Sequence, residues 1–180
     1  MSKEVENIVA GWDDAQRAVA LEALLTSQLG PEAFDVQCRL LTSCPNEYLV
    51  VDGSGNILLF LRPPHDKHFA FQWHYSGTTV KEARAGGDIW AFVREKYRLY
   101  NMVLSMPRVI GYDDIQMGTQ ADGHNPRGAE RVLLHIVRYF DGATPPGGTW
   151  FAIRNLPSEV IGHHKAIIER KLIPYLDQRA

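Results

Sequence analysis

The chain has 180 residues, 45% hydrophobic and 22% charged, with a formal net charge of −2. That length supports one domain with a proper core, and the composition is that of an ordinary globular protein. The charge argues against general nucleic-acid binding, and no apolar run approaches the roughly 20 residues of a membrane-spanning helix.

The first stretch, MSKEVENIVAGWDD, is acidic and has no apolar centre, so a signal peptide is not expected. Residues 13–29 read as a helix capped by Asp13 or Asp14. Ala15, Ala18, Val19, Leu21, Leu24, Leu25 and Leu29 form its stripe, and Gly30-Pro31 stops it. The expected organisation is an N-terminal helical extension, 1–45, packed on a domain at 46–180, with a homodimer contact as the alternative role of the extension. Cys38 and Cys44 have no partner pair, so two free thiols are expected in a reducing, cytoplasmic setting.

Tyr48–Val51 and Ile57–Leu61, joined by Asp52-Gly53-Ser54-Gly55-Asn56, read as a β-hairpin. Residues 69–75 alternate Phe69, Phe71, Trp73 and Tyr75 with Ala70, Gln72 and His74, which predicts a strand with one aromatic face. Asp88 or Gly87 caps a predicted helix from Ile89 to about Met102. Tyr112–Arg127 reads as a loop, Arg131–Phe140 as a strand, Asp141–Gly148 as a turn and Trp150–Ile153 as a short strand. Asn155-Leu156-Pro157-Ser158 opens a final helix from about Glu159 to Leu176. This order predicts an α/β (α+β) fold with a mixed sheet between helices.

Four pieces of the chain, between Tyr48 and Leu176, resemble the Nudix superfamily. They are LLFLRPP, WHYSGTTV, the Ala91-Phe92-Val93-Arg94-Glu95 segment, and the ending GTWFAIRNLPSEVIGHHKAIIERKL. The stretch Gly77–Asn101 is similar to a Nudix box whose catalytic half has been rewritten. The resemblance implies a Nudix-type α/β/α sandwich with an extra N-terminal helix. It also implies Mg²⁺ or Mn²⁺ as cofactor and a diphosphate-linked substrate. Hard cations need oxygen ligands, which the family's box supplies as glutamates at i, i+3 and i+4 of one helix. Here those positions hold Glu95, Arg98 and Leu99. Counting back from Arg94 puts the family's first glutamate at Gly86, and counting forward from Gly77 puts it at Ala83, so the loop carries an insertion.

The candidate site residues follow from this pattern. Glu95 is the candidate catalytic carboxylate and metal ligand, alone or with Glu82, His68 and His74; Asp88 flanks the same place. His124, in GTQADGHNPRG, is the second catalytic candidate. Arg94, Arg98, Gly77 and Arg62 are candidates for holding the ligand, Arg98 by pairing directly with a phosphate or carboxylate. Each has a plainer reading: Glu95 as a helix-surface glutamate with Arg98 beside it, and His163 and His164 as packing residues at the start of the last helix. Trp73, Tyr75, Trp90 and Phe92 either stack on a base or fill the core.

Three functions are therefore open. One is a divergent Nudix-fold protein binding a nucleotide or other phosphorylated small molecule without standard hydrolysis. The second is an active hydrolase with relocated metal ligands, and the third a protein-interaction module.

Overall fold

The computed structural model describes residues 43–79, 88–118, 125–126 and 128–179, together with residues 12, 13, 15, 16 and 19. The chain divides into two compact units, Met1–Gln37 and Cys38–Ala180. In the first, the Asp13 carboxylate accepts from the Gln16 amide at 2.8 Å and the Gln16 side chain accepts from the Asp13 amide at 3.0 Å. This reciprocal pair is a capping box, so Asp13 is the cap that starts this helix. Val19, expected in the apolar stripe, is exposed; the rest of the stripe lies outside the described residues, as does Cys38.

The second unit is built on one mixed sheet of strands β1 (Pro45–Val51), β2 (Asn56–Leu61), β3 (Trp73–His74), β4 (Ser76–Thr79), β5 (Met102–Leu104), β6 (Arg108–Ile115), β7 (Glu130–Gly142) and β8 (Gly148–Ala152). β1 runs parallel to β7 and antiparallel to β2 and β4. β5 and β6 flank β7, and β3 and β8 flank β2. The predicted hairpin is present. Its turn is held by Asp52, whose carboxylate accepts from the Ser54 and Asn56 amides, and Gly55 takes the left-handed conformation the turn needs. Only Val51 pairs with Ile57 across it, because the first half of β1 turns to β4 instead.

Neighbouring residues on β1 and β2 point to opposite faces, and both faces are covered. One core holds Leu49, Val51, Ile57, Leu59, Leu134 and Ile136 with the C-terminal helical residues Ile167, Ile168 and Leu172. The other holds Tyr48, Val50, Leu58, Phe60 and Val137 with Trp90, Val93, Leu99 and Met102. The C-terminal helical run is α2 (Gly162–Ile167), a π-helical turn at Ile168–Leu172, and α3 (Ile173–Asp177). Pro174 accounts for the widened turn. It cannot donate to the carbonyl four residues back, and the Ile173 amide reaches Ile168 instead. The run starts at Gly162, later than expected, because Val160 still bridges to Trp73.

Three expectations are corrected. Residues 69–71 are a turn and not a strand: Asp66 accepts from the His68 and Phe69 amides, Phe69 is buried, and Phe71 is exposed with a left-handed backbone. The predicted loop from Tyr112 begins inside β6, whose pairing shifts register between Val109 and Gly111. The helix from Ile89 is α1 (Ile89–Lys96), followed by a 3₁₀ turn at Leu99–Asn101, and so stops well short of Met102.

Candidate functional site

Helix α1 begins as the sequence predicts. Asp88 is its cap, accepting from the Trp90 and Ala91 amides at 2.9 and 3.2 Å, so this carboxylate is engaged by the helix end. Trp90 and Val93 face the sheet, with Tyr97 half-buried one turn on. The Tyr97 hydroxyl donates to the Gly77 carbonyl at 3.2 Å and Lys96 Nζ reaches the same oxygen at 3.4 Å. Gly77 thus ties β4 to α1. It is glycine for a local reason: a Cβ there would overlap the Glu47 carboxylate from the neighbouring strand.

The end of α1 decides the chemistry. Arg98 has φ 55° and ψ 38°, a left-handed conformation, and Leu99 beyond it is fully buried. In a continued helix, Leu99 would stand four residues from Glu95 on the same exposed face. Turning the chain at Arg98 costs about 1–2 kcal/mol, while burying a leucine returns about 1.5–3 kcal/mol. The turn therefore wins. Glu95, Arg98 and Leu99 do not share a face, which corrects the expectation carried over from the box: Glu95 is exposed, Arg98 is exposed past the helix end, and Leu99 is core.

The other candidates are placed separately. Arg94 is half-buried, with its Nε enclosed and without a hydrogen-bond partner. Arg62 pairs with Asp66 at 3.2 Å. His68 lies against Phe69, ring centroids 6.1 Å apart. His74, expected on a strand edge near His68, is buried among Phe60, Tyr97 and His164. Glu82 and His124 lie outside the described residues. Among the described residues no three His, Cys, Asp or Glu side chains are grouped to hold a metal ion. Among the described residues, then, Glu95 has no grouped partners of the kind a Mg²⁺ or Mn²⁺ ion needs, which takes several oxygen ligands at once.

Trp73, Tyr75 and Trp90 are structural. Trp73 meets Phe151 edge-on at 4.9 Å, Tyr75 is fully buried, and Trp90 packs on Tyr48 at 4.9 Å. An open aromatic surface lies elsewhere, on the part of the sheet's α1 face formed by β6 and β7. His135 stacks on Tyr48 at 4.6 Å and its Nε2 is 3.2 Å from the Asn46 side-chain oxygen, Oδ1. Val109 pairs across from His135 and Tyr112 across from Leu133; all three of these partners are exposed to solvent while His135 is half-buried. Asp114 and Arg131 close this row with a two-point ion pair, and the Arg131 guanidinium lies 5.9 Å from the Tyr112 ring centre. The hydrogen bonds from Arg131 hold the Asp114 carboxyl below its ordinary range. Burial lowers His135, so its imidazole is neutral at pH 7. Burial, with Asp88 and Glu47 nearby, pushes the Tyr48 hydroxyl up to about 12. The result is a neutral, mostly apolar surface with one imidazole–amide pair at its edge. The sequence signal for it was the alternation Val109, Tyr112, Asp114, hidden by the irregular register around Gly111.

No family model matches the sequence, and no curated protein matches it. Solved structures do match. A Nudix hydrolase from Nitrosomonas europaea is similar with a TM-score of 0.53 at 9% identity, over 77% of this chain and 90% of that one. A chain in the complex between the C-terminal domain of mouse MUTYH and human PCNA gives 0.51 at 12% identity, over 77% and 90%. A MutT Nudix hydrolase from Burkholderia pseudomallei gives 0.48 at 15% identity, over 72% and 98%. At such identities the likeness, in the first two, is one of fold: the chain has the Nudix fold.

Proposed function

We propose that this Nudix-fold chain binds a nucleotide or other phosphorylated small molecule and lacks the metal-dependent diphosphate hydrolysis associated with the box. The observation that carries the reading is the end of α1. Only Glu95 remains of the three acidic positions, and the left-handed Arg98 turns the chain so that the other two positions no longer join it on one face. A single exposed carboxylate does not assemble a divalent-cation site that can polarise a phosphoryl oxygen.

Binding is supported by the open surface beside α1. Val109, Tyr112 and Leu133 offer a flat apolar floor for a planar ring, and the Asn46–His135 pair offers polar recognition at its edge. Arg98, exposed just past the end of α1, remains the candidate partner of a phosphate, because a guanidinium engages phosphate oxygens through two donors at once.

The test is a thermal-shift screen over nucleoside mono- and diphosphates, run with a hydrolysis assay in Mg²⁺ or Mn²⁺. A ligand present at 100 times its dissociation constant stabilises by about 2.7 kcal/mol. The expected result is such stabilisation with no metal-dependent turnover. Metal-dependent hydrolysis at about 1 s⁻¹ or faster contradicts the reading.

A further inference from the structure

The three strands under the open surface set its side chains in two rows. β7 pairs Leu133 with Asn46 of β1 on one side and with Tyr112 of β6 on the other. Two residues along, it pairs His135 with Tyr48 and with Val109. Paired residues share a face of a sheet, as do residues two apart on one strand, and Tyr48 belongs to the core on the α1 side. All six side chains therefore stand on that face. Strands lie about 4.8 Å apart, so Asn46 and Tyr112 stand about 10 Å apart with Leu133 between them. The second row lies about 7 Å further along. Leu133 and Tyr112 are exposed, His135 is half-buried and Asn46 is 8% exposed.

The contact between His135 Nε2 and Asn46 Oδ1 fixes what this pair can offer a third group. If Nε2 carries the proton of the neutral imidazole, it donates to Oδ1. His135 Nδ1 then remains an acceptor and the Asn46 NH₂ a donor. If the amide is turned so that its NH₂ donates to Nε2, Nδ1–H is the donor and the amide oxygen the acceptor. Either way the pair presents a donor beside an acceptor. Neither Asn46 Nδ2 nor His135 Nδ1 is enclosed, and neither makes a hydrogen bond within the described residues.

We propose that Asn46 and His135 read the hydrogen-bonding edge of a nucleobase. The flat ring rests on Leu133 against Tyr112 and turns to the pair an N–H or NH₂ donor next to a carbonyl or ring-nitrogen acceptor. This rests on the binding proposed above and names the part of the ligand that is recognised. Two features select a base over a sugar or a phosphate. Val109, Tyr112 and Leu133 offer apolar contact, which suits the face of a flat ring better than a hydroxyl-covered sugar. Arg131, the cation beside Tyr112, is already held by both oxygens of Asp114, so the rows suit a neutral group. A base paired in a duplex has this edge occupied, so the ligand is an unpaired nucleotide.

The pair discriminates because a ring that covers it strips water from both polar groups. A base offering a donor and an acceptor replaces the lost bonds. A base with a blocked edge leaves the Asn46 and His135 groups dry and unpaired. Loss of two neutral hydrogen bonds corresponds to about 30-fold in affinity.

Titration calorimetry of the wild-type protein tests this. The ligands are the monophosphates of uridine, guanosine, adenosine and cytidine, each compared with a form whose edge donor is methylated away. The blocked forms carry a methyl on N3 of uridine or N1 of guanosine, or two on the exocyclic amine of adenosine or cytidine. The expected result is that at least one nucleotide binds and that its blocked form binds about 30-fold more weakly. His135→Phe, which keeps a ring on Tyr48, and Asn46→Leu should each bring the ratio between the two forms close to one. A merely structural role would weaken both forms alike and preserve the ratio. The wild-type comparison decides the matter alone should a variant not fold. Equal affinity for free and blocked forms overturns the edge reading and leaves the binding proposal standing, as does a ratio that persists in both variants. Absence of binding by every nucleotide overturns both.

Discussion

The two faces of the central sheet are finished differently. The α2 face is closed: among the described residues, fourteen buried ones drawn from strands, connections and the C-terminal helical run form one core, and even the polar groups Tyr75 and His164 are sealed inside. Among the described residues the α1 face has a smaller core, under a helix shorter than the whole C-terminal helical run. It leaves Val109, Tyr112 and Leu133 in solvent beside a hydrogen-bonded His135. The contrast separates where stability resides from where the proposed recognition would occur. A closed face contributes burial, and a half-open face leaves apolar surface for a ligand.

Leu172→Ala is the harshest test of this contrast. Its side chain is fully buried on the closed face, so the loss should be about 2–5 kcal/mol in denaturant unfolding, with ligand affinity unchanged in the folded protein. A loss below about 1 kcal/mol would show that this face is not tightly packed. Alkaline unfolding probes the open face. Tyr48 is an acid raised to about 12, so its contribution is whole below pH ~10 and disappears as pH rises through 12. Tyr75, fully buried, is raised as well, so tyrosinate absorbance should show Tyr48 and Tyr75 as late groups that titrate with unfolding.

Asp88→Ala removes the cap of α1 and should cost about 1 kcal/mol, read as a lowered midpoint and faster exchange at Trp90 and Ala91. Arg98→Gly should gain about 0.5 kcal/mol, because glycine adopts the left-handed turn without strain. The same change should weaken phosphate-dependent stabilisation if Arg98 holds the ligand. Tyr112→Ala should move stability by no more than about 0.5 kcal/mol yet abolish the thermal shift given by a nucleotide. If the shift persists, the planar group binds elsewhere.

Much of the fold was legible in the sequence because its signals are local. Asp52 and Gly55 specify the hairpin turn, Asp88 specifies the start of α1, and the aliphatic runs of β1 and β2 announce strands buried on both sides. The site was less legible because its determinants are distant. Leu99 left the helix to join Met102 in a core assembled from β1, β2 and β7, and no spacing within the box reports that. His74 met His164 across 90 positions, and Tyr112 became a surface residue only through its pairing with Leu133. Alternation misled at 69–75, where Asp66 drew two amides into a turn before any strand began.

The central claim is that α1 no longer carries a metal-dependent catalytic face. Single-turnover hydrolysis of a nucleoside diphosphate-linked substrate in Mn²⁺, comparing wild type with Glu95→Gln, tests it most directly. The account predicts that both proteins match the protein-free background. Wild-type turnover that depends on Mn²⁺ and disappears in Glu95→Gln would contradict it.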